Sequence, residues 1–289
     1  MHIVELHAHV FMDGIDYKKS VSRFKSGVDK AAVRKALSAY QEKGIHLVRE
    51  GGDHFGACLY AKSIASEYGL TYLMPVYALF KEGNYGRVAG VPYFDLKEFQ
   101  QKVLEAKNLG ADFIKIMISG ILNFDRFGVV SETDYTLDFV KELVHIAHEE
   151  GFSVMAHASG TERVRFAAEA GVDSLEHGYY IDTETMDILA AKKIVWVPTA
   201  VTSANLPGTG RFNDYEVSKI ADAHKAAISE ASSRGVLIGC GSDAGAYAVL
   251  HGQGAIDEYN LLSSVIGKDA DQILKGAEDL ILNKFCYQR

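Results

Sequence analysis

The sequence has few cysteines, and their distribution limits the class of protein. Cys58, Cys240 and Cys286 are odd in number and far apart, which excludes a disulfide scaffold and favours free thiols in a reducing compartment. Hydrophobic residues make up 48% of the chain and charged residues 24%. This ordinary globular composition excludes a disordered chain and a collagen.

Long apolar runs and an excess of basic residues are also missing. No apolar run approaches the roughly 18 residues of a transmembrane span. The N-terminus shows no charged leader followed by an apolar segment and a small-residue cleavage site. The formal net charge of −8 argues against nucleic acid or an anionic membrane as a partner. These absences, together with the free thiols, predict a cytoplasmic protein.

Eight short apolar runs alternate with amphipathic stretches along the chain. The runs are short and unalternating, which is typical of strands buried on both faces of a parallel sheet. They lie at 3–7, 45–49, 71–78, 113–118, 153–157, 174–177, 194–198 and 236–240. Helices are predicted between them, at 28–40, 95–106, 137–150, 162–170, 184–191, 215–234 and 269–285. Several of these helices are followed by glycine, a common residue just beyond a helix C-terminus.

This alternation predicts a (β/α)8 TIM barrel, an α/β fold in which residues 1–289 form a single domain. A doubly wound open sheet is the structural alternative. The long interruptions follow predicted strands, at 11–27, 80–94, 120–136 and 199–214. They therefore fall on the face where barrel enzymes build their active sites.

Ionisable residues cluster at the ends of the predicted strands. His7 and His9 end the first strand, and residues i and i+2 of a strand face the same way. His157 and His177 end the fifth and sixth strands, and Asp243 follows the eighth. Imidazole nitrogens and carboxylate oxygens suit Zn, Mn, Fe or Co. A single strand-end histidine is more often structural, and an aspartate there often caps a helix, but the coincidence of five such residues favours a metal site.

Lys115 lies inside the fourth apolar run, where an ammonium group is costly unless it is paired. One interpretation is a lysine that reaches a carboxylate. The other is a desolvated lysine with a lowered pKa, which carbon dioxide converts to a carbamate able to bridge two metal ions.

Together these motifs resemble the amidohydrolase superfamily, and they are most similar to its branch of prolidase-like and Xaa-amino-acid dipeptidases and imidazolonepropionase. The resemblance covers nearly the whole chain. The matching motifs are HAH at 7–9, VREGG at 48–52, IKIMISG at 114–120, AHA at 156–158, SLEHG at 174–178 and GSDAG at 241–245.

The resemblance implies two divalent metal ions, with zinc expected and manganese, iron or cobalt as alternatives. The ligands it implies are His7, His9 and Asp243 for the more buried ion, His157 and His177 for the second, and a carboxylated Lys115 bridging both. A hydroxide between the ions would attack a carbonyl carbon, with Asp243 as the general base. The flanking β-sandwich of the family is expected to be absent, and Glu5-Leu6 stands where the family often has Asp-x-His.

Two divalent ions, less the charges of the carbamate, the aspartate and the hydroxide, leave a net charge of about +1, which attracts anionic substrates. The loops offer Tyr85, Arg87, Tyr179 and His251 as candidate substrate contacts. Arginine and tyrosine there could hold a carboxylate or polarise a carbonyl. A solvated loop residue is the alternative for each of them.

The predicted function is therefore hydrolysis of an amide bond in a dipeptide, an N-acyl amino acid or a cyclic amide. Three alternatives stay open: a lactonase or phosphotriesterase-like hydrolase, a non-catalytic metal-binding barrel, and a metal-dependent deoxyribonuclease. The last is disfavoured by the net charge of −8. A homo-oligomer is compatible with the sequence.

Overall fold

Strands and helices alternate along the chain, and every strand pair is parallel. The computed structural model describes residues 3–286. Its strands are β1 (Glu5–Ala8), β2 (Leu47–Glu50), β3 (Thr71–Leu73), β4 (Ala78–Lys81), β5 (Gly90–Tyr93), β6 (Ile114–Met117), β7 (Val154–Ala158), β8 (Ser174–His177) and β9 (Val195–Val197).

The helices cover the outside of the strands and bury one apolar face each. They are α1 (Tyr17–Phe24), α2 (Lys30–Glu42), α3 (Ala57–Ile64), α4 (Leu96–Asn108), α5 (Leu137–Glu149), α6 (Thr161–Ala170), α7 (Thr183–Lys192), α8 (Val201–Ala204), α9 (Asp214–Ser233), α10 (Gln253–Ile266) and α11 (Ala270–Lys284). Short 3₁₀ turns follow α3 and α10, at Ala65–Tyr68 and Gly267–Asp269. Within residues 3–286, no helix combines the length and the apolar character needed to cross a lipid bilayer.

The strands form two parallel sheets, one of order β1-β2-β3 and one of order β5-β4-β6-β7-β8-β9. Apart from β5, neighbouring strands follow the order of the chain. A doubly wound sheet would reverse its order at a switch point, and apart from the edge strand β5 the described strands show no such reversal. The predicted α/β class with parallel strands is confirmed.

A segment without regular strand structure connects the two sheets. The amide of Trp196 in β9 donates to the carbonyl of Leu237 at 2.9 Å, and the amide of Gly239 donates back to Trp196 at 2.8 Å. On the other side, the amide of Leu6 in β1 donates to the carbonyl of Cys240 at 2.9 Å. The eighth predicted strand therefore lies between β9 and β1.

This segment forms an isolated bridge at Ile238 instead of the continuous strand predicted at 236–240. Glycines explain the difference, since they add no side chain to pack and mark sites of close backbone approach. A Cβ on Gly241 would lie 2.7 Å from the amide nitrogen of His7 and 2.9 Å from the carbonyl carbon of Leu6. The backbones approach too closely there for any other residue.

The third predicted strand, at 71–78, is divided into β3 and β4. The break contains Pro75, which has no amide hydrogen to donate, and Val76, whose φ is 70°. Strand β3 pairs with β2, and β4 pairs with β6. Met74, just after β3, accepts a hydrogen bond from Asp112, just before β6. The two short strands thus occupy the place expected for one.

Some elements lie where the sequence analysis expected loops. Strand β5 falls within 80–94 and pairs with the edge of β4, where its Pro92 is tolerated. Helices α1 and α8 lie within the interruptions at 11–27 and 199–214, and α10 was not predicted. Among the predicted helices, Asp95 caps α4 and Asp182 caps α7, each accepting a backbone hydrogen bond at 2.8 Å.

The close approach at Gly241 gives a test of the connection between the sheets. We expect Gly241→Ala to lower the free energy of unfolding by about 1–3 kcal/mol, because the added methyl group must displace backbone. Urea denaturation measures the change. Gly276→Ala is the control: it lies in α11, its Cβ would meet only Leu237 at 3.4 Å, and alanine is the better helix former. Equal stability of the Gly241 variant and the wild type would contradict the packing described above.

Candidate metal centre

The predicted ligands all reach one rim of the sheets. Parallel strands place their carboxyl ends together, so strand-end side chains converge. The residues are His7 in β1, His9 one residue beyond it, Lys115 in β6, His157 in β7, His177 at the end of β8, and Asp243 after the connecting segment. Their side chains are largely buried.

Three of these residues form a group that could hold a metal ion. Ligand atoms of His7, His177 and Asp243 lie within 4.8 Å of one another. His9 Nε2 is 3.6 Å from Asp243 Oδ1, and His7 Nε2 is 3.7 Å from the same oxygen.

The other two candidates border this group. The rings of His157 and His177 are 4.5 Å apart between centroids, and Lys115 Nζ is 3.3 Å from His7 Nε2. The structure therefore brings all six candidate ligands together.

Each histidine has one ring nitrogen within hydrogen-bond distance of an oxygen atom, as metal-binding histidines generally do. The contacts are His7 Nδ1 to Glu176 Oε2 at 2.7 Å, His9 Nδ1 to the Gly52 carbonyl at 3.3 Å, His157 Nε2 to the Gly120 carbonyl at 3.2 Å and His177 Nδ1 to Thr199 Oγ1 at 2.9 Å. The opposite nitrogen of each ring then keeps its lone pair, which in His7 faces Lys115 Nζ at 3.3 Å. This donor set fits a divalent metal ion.

Burial keeps the imidazoles neutral. Burial, together with a smaller effect of the nearby Lys115 ammonium, lowers the pKa of His9 to about 3 and that of His157 to about 4. Burial also holds the pKa values of His7 and His177 well below the usual histidine range. Because neutral imidazole is the form that binds metal, the site is ready for a cation at neutral pH.

Lys115 has no partner carboxylate within salt-bridge distance among residues 3–286. Its side chain is 1% exposed, and its hydrogen bond goes to His7 Nε2. The interpretation of a lysine that reaches a carboxylate therefore finds no direct contact in its favour. Burial lowers the pKa of this amine, and burial raises the pKa of the neighbouring Asp243.

Asp243 occupies a strained position that aims it at the histidines. Its φ is 59°, in the left-handed region, and its amide donates to the carbonyl of His7 at 2.7 Å. The next helix, α10, begins ten residues later at Gln253, so Asp243 caps no helix. Glu5 holds the backbone before Asp243 next to that of His7, because its carboxylate accepts hydrogen bonds from the amides of Ser242 and His7. The departure at Glu5 from the family pattern thus has a structural role.

Behind His7 lies a buried ion pair, which the sequence patterns did not predict. Arg49 Nη2 donates to Glu176 Oε1 at 2.8 Å, and both side chains are fully buried. Arg49 Nη1 also donates to Ser174 Oγ, and Nε donates to the carbonyl of Leu6. Arg49 compensates the charge of the carboxylate that orients His7. The sequence did contain an indication of this pair, because Arg49 and Glu176, like Lys115, are charged residues within predicted apolar strands.

Glu50 stands beside His9 and was also missed. Its Oε2 accepts hydrogen bonds from Tyr72 Oη and the amide of Val10. Its Oε1 is buried, has no hydrogen-bond partner among residues 3–286, and lies 3.7 Å from His9 Nδ1. Burial raises the pKa of Glu50 to about 8.

Two candidate substrate contacts come from the segment between β4 and β5. The ring of Tyr85 lies 5.5 Å from that of His157 between centroids, at the edge of the site. Arg87 is 71% exposed and pairs with Glu82 at 2.6 Å. Tyr85 therefore borders the proposed ligands, whereas Arg87 must exchange its present partner to reach a substrate.

The other two candidates are already engaged. Tyr179 is buried, and its hydroxyl lies 2.9 Å from Thr202 Oγ1. Both ring nitrogens of His251 have partners, Tyr40 Oη at 2.9 Å and the carbonyl of Met12 at 2.8 Å. These contacts would have to change before either side chain could bind a substrate through these atoms.

Comparison with known proteins agrees with this chemistry. The family model described as the amidohydrolase family matches residues 3–273, and the chain belongs to that family. The resemblance to the amidohydrolase superfamily that the motifs indicated is confirmed.

Among curated proteins, ochratoxinase of Aspergillus niger is 30% identical over 145 residues, covering 46% of this chain and 29% of the ochratoxinase. An uncharacterised protein of Mycobacterium tuberculosis is 29% identical over 147 residues, covering 48% of this chain and 39% of that protein. The matches thus span well under half the length of these relatives.

Solved structures share the fold over almost the whole chain. A Xaa-Pro dipeptidase with methionine bound in its active site aligns with a TM-score of 0.75 at 19% identity, covering 99% of this chain and 77% of the other. The A. niger ochratoxinase structure aligns with a TM-score of 0.77 at 22% identity, covering 97% and 70%.

The buried pair behind His7 can be tested directly. We expect Glu176→Gln to lower the free energy of unfolding by about 3–5 kcal/mol, because it leaves the Arg49 charge buried and uncompensated. Urea denaturation measures this loss. Glu67→Gln serves as the control, since Glu67 is 53% exposed in its pair with Arg34 and should contribute at most about 1 kcal/mol. A similarly small loss in both variants would show that the buried charges are compensated elsewhere.

Proposed function

We propose that this protein is a binuclear metal-dependent hydrolase that cleaves an amide bond. The observation that carries the proposal is a cluster of four buried histidines, three of which (His7, His9 and His177) bring ring nitrogens close to Asp243. A purely structural site would need no such partly accessible carboxylate, and the Asp243 side chain is 17% exposed. Membership of the amidohydrolase family supports the same chemistry.

We infer that the two sheets are parts of one closed (β/α)8 barrel. The connecting segment at 237–240 bonds to β9 on one side and β1 on the other. On the opposite side, β3 and β4 together fill the third strand position between β2 and β6. Eight strand positions in chain order then form a ring, and the described helices surround it as one domain.

The ligands divide between two ions. We assign His7, His9 and Asp243 to the first and His157 and His177 to the second, with Lys115 between them. The ions, with zinc expected and manganese, iron or cobalt possible, would polarise the substrate carbonyl and lower the pKa of water. Burial favours the neutral Lys115 amine. That amine can attack the carbon of carbon dioxide, forming an N–C bond and releasing one proton, to give the bridging carbamate.

Asp243 is proposed as the general base. Its Oδ1 lies close to both His7 and His9, and the side chain retains access to the rim. It would accept a proton from the attacking water and deliver it to the leaving amine. Burial raises the pKa of this carboxyl, so it can hold the transferred proton.

The substrate is proposed to be a small amide that bears a carboxylate. A Xaa-Pro dipeptidase and an ochratoxinase share this fold. The chain itself belongs to the amidohydrolase family. Tyr85 is the proposed wall next to His157, and Arg87 the proposed partner of the carboxylate after it leaves Glu82. Tyr179 and His251 would shape the pocket from behind. Turnover of dipeptides and N-acyl amino acids, compared with lactones, tests the reaction class.

Elemental analysis should find close to two transition-metal ions per chain after growth in metal-supplemented medium. Lys115→Ala should lose most of the bound metal and activity, because the bridging group is gone. Short-chain carboxylates should restore part of both by occupying the vacated space. Lys141→Ala is the control, because that lysine is about half exposed on α5. Full metal content in Lys115→Ala would remove this residue from the site.

Asp243→Asn should reduce the turnover rate at least 100-fold, in line with the usual contribution of a general base. The amide keeps the size and one ligating oxygen but cannot accept the proton. Rates are compared at equal metal content, and the folded state is checked by circular dichroism. Asp257→Asn, on the partly buried face of α10, should keep wild-type activity. Wild-type turnover by metal-loaded Asp243→Asn would place the base elsewhere.

A further inference from the structure

A fully buried threonine lies directly behind His177. Thr199 lies two residues after β9 and is 0% exposed. Its Oγ1 is 2.9 Å from His177 Nδ1. Neither the motifs nor the strand-end pattern pointed to this residue. A hydroxyl at this distance can accept the Nδ1 hydrogen and so determine which ring nitrogen keeps its lone pair.

Thr199 is held in a conformation that a β-branched residue avoids. Its φ is 49°, in the left-handed region, which is costly for a side chain branched at Cβ. Its carbonyl accepts hydrogen bonds from the amide of Thr202 at 3.0 Å and from Thr202 Oγ1 at 2.7 Å. Surrounding contacts therefore impose this backbone geometry and, with it, the direction of the hydroxyl.

The next two residues are fixed by a carboxylate from a distant helix. Glu258 lies in α10 and is 0% exposed. Its Oε1 accepts from the amide of Ala200 and its Oε2 from the amide of Val201, both at 2.9 Å. Among the described residues no lysine or arginine pairs with it, so its two oxygens are committed to the backbone immediately after Thr199. Burying a carboxylate costs free energy, which indicates that the position of this loop is important.

We propose that Glu258 and Thr199 are positioning residues for metal binding by His177. Glu258 fixes the backbone after Thr199, Thr199 Oγ1 accepts the hydrogen of His177 Nδ1, and Nε2 is left with its lone pair toward the ion. Neither residue touches the substrate. This inference rests on the proposed function, because it assigns His177 to a metal ion.

A matched pair of substitutions isolates the hydroxyl. Thr199→Val has the same shape and the same β-branch but cannot accept a hydrogen bond, whereas Thr199→Ser keeps the hydroxyl. Metal is removed, and Co²⁺ is titrated back while its visible absorption reports the coordination. We expect Thr199→Val to bind Co²⁺ about 10- to 100-fold more weakly, and Thr199→Ser to bind it as the wild type does. Equal affinity of all three proteins would overturn the inference.

The role of Glu258 is tested by comparing single and double variants of Thr199 and Glu258. Glu258→Gln should also weaken Co²⁺ binding, because an amide can accept only one of the two backbone hydrogen bonds. If Glu258 acts through Thr199, the double variant Thr199→Val/Glu258→Gln should bind Co²⁺ no more weakly than Thr199→Val alone. Fully additive losses would show that Glu258 does not act through Thr199, and would overturn that part of the inference.

A third measurement needs no variant and separates this inference from the proposed function. In zinc-loaded wild-type protein with isotope-labelled histidine, NMR should show His177 with its hydrogen on Nδ1. A hydrogen on Nε2 in protein that holds zinc would overturn the inference and leave the proposed function standing. Failure of the wild type to bind either Co²⁺ or zinc would overturn both.

Discussion

The hydrogen bond between His7 Nδ1 and Glu176 Oε2 is the contact on which the arrangement of the site depends. It joins β1 to β8 across the interior at 2.7 Å, between residues 169 positions apart. A carboxylate in that position needs a cation, and Arg49 supplies it from β2. The three side chains bring strands from distant parts of the chain to a common centre, and they determine which nitrogen of His7 faces the proposed metal ions.

The same principle recurs around the site, where a buried oxygen determines the free nitrogen of each histidine. Backbone carbonyls contact His9 and His157, and the hydroxyl of Thr199 contacts His177. Orienting the ligands in advance reduces the rearrangement that metal binding requires. Asp243, in a left-handed conformation and hydrogen-bonded to the backbone of His7, completes this preorganised group.

Much of the candidate site could be predicted because strand geometry is periodic. His7 and His9 share a face two residues apart, and His157 and His177 end parallel strands, so their convergence follows from the fold class. Thr199 and Glu258 could not be found in this way. A threonine in a loop and a glutamate in a helix carry no periodic signal, and their roles depend on contacts between segments 58 positions apart.

The sequence by itself determined the alternation of parallel strands and helices, and the side chains that surround the proposed metal centre. Local patterns suffice for these predictions, because the spacing of apolar residues that distinguishes strands from helices is visible within short segments. The tertiary structure decided the rest: the division of the third strand at Pro75, the replacement of the eighth strand by a glycine-containing bridge, and the pairing of Arg87 with Glu82. It also selected the acceptor for each imidazole. These outcomes depend on distances between segments remote in sequence, which only the packed chain establishes.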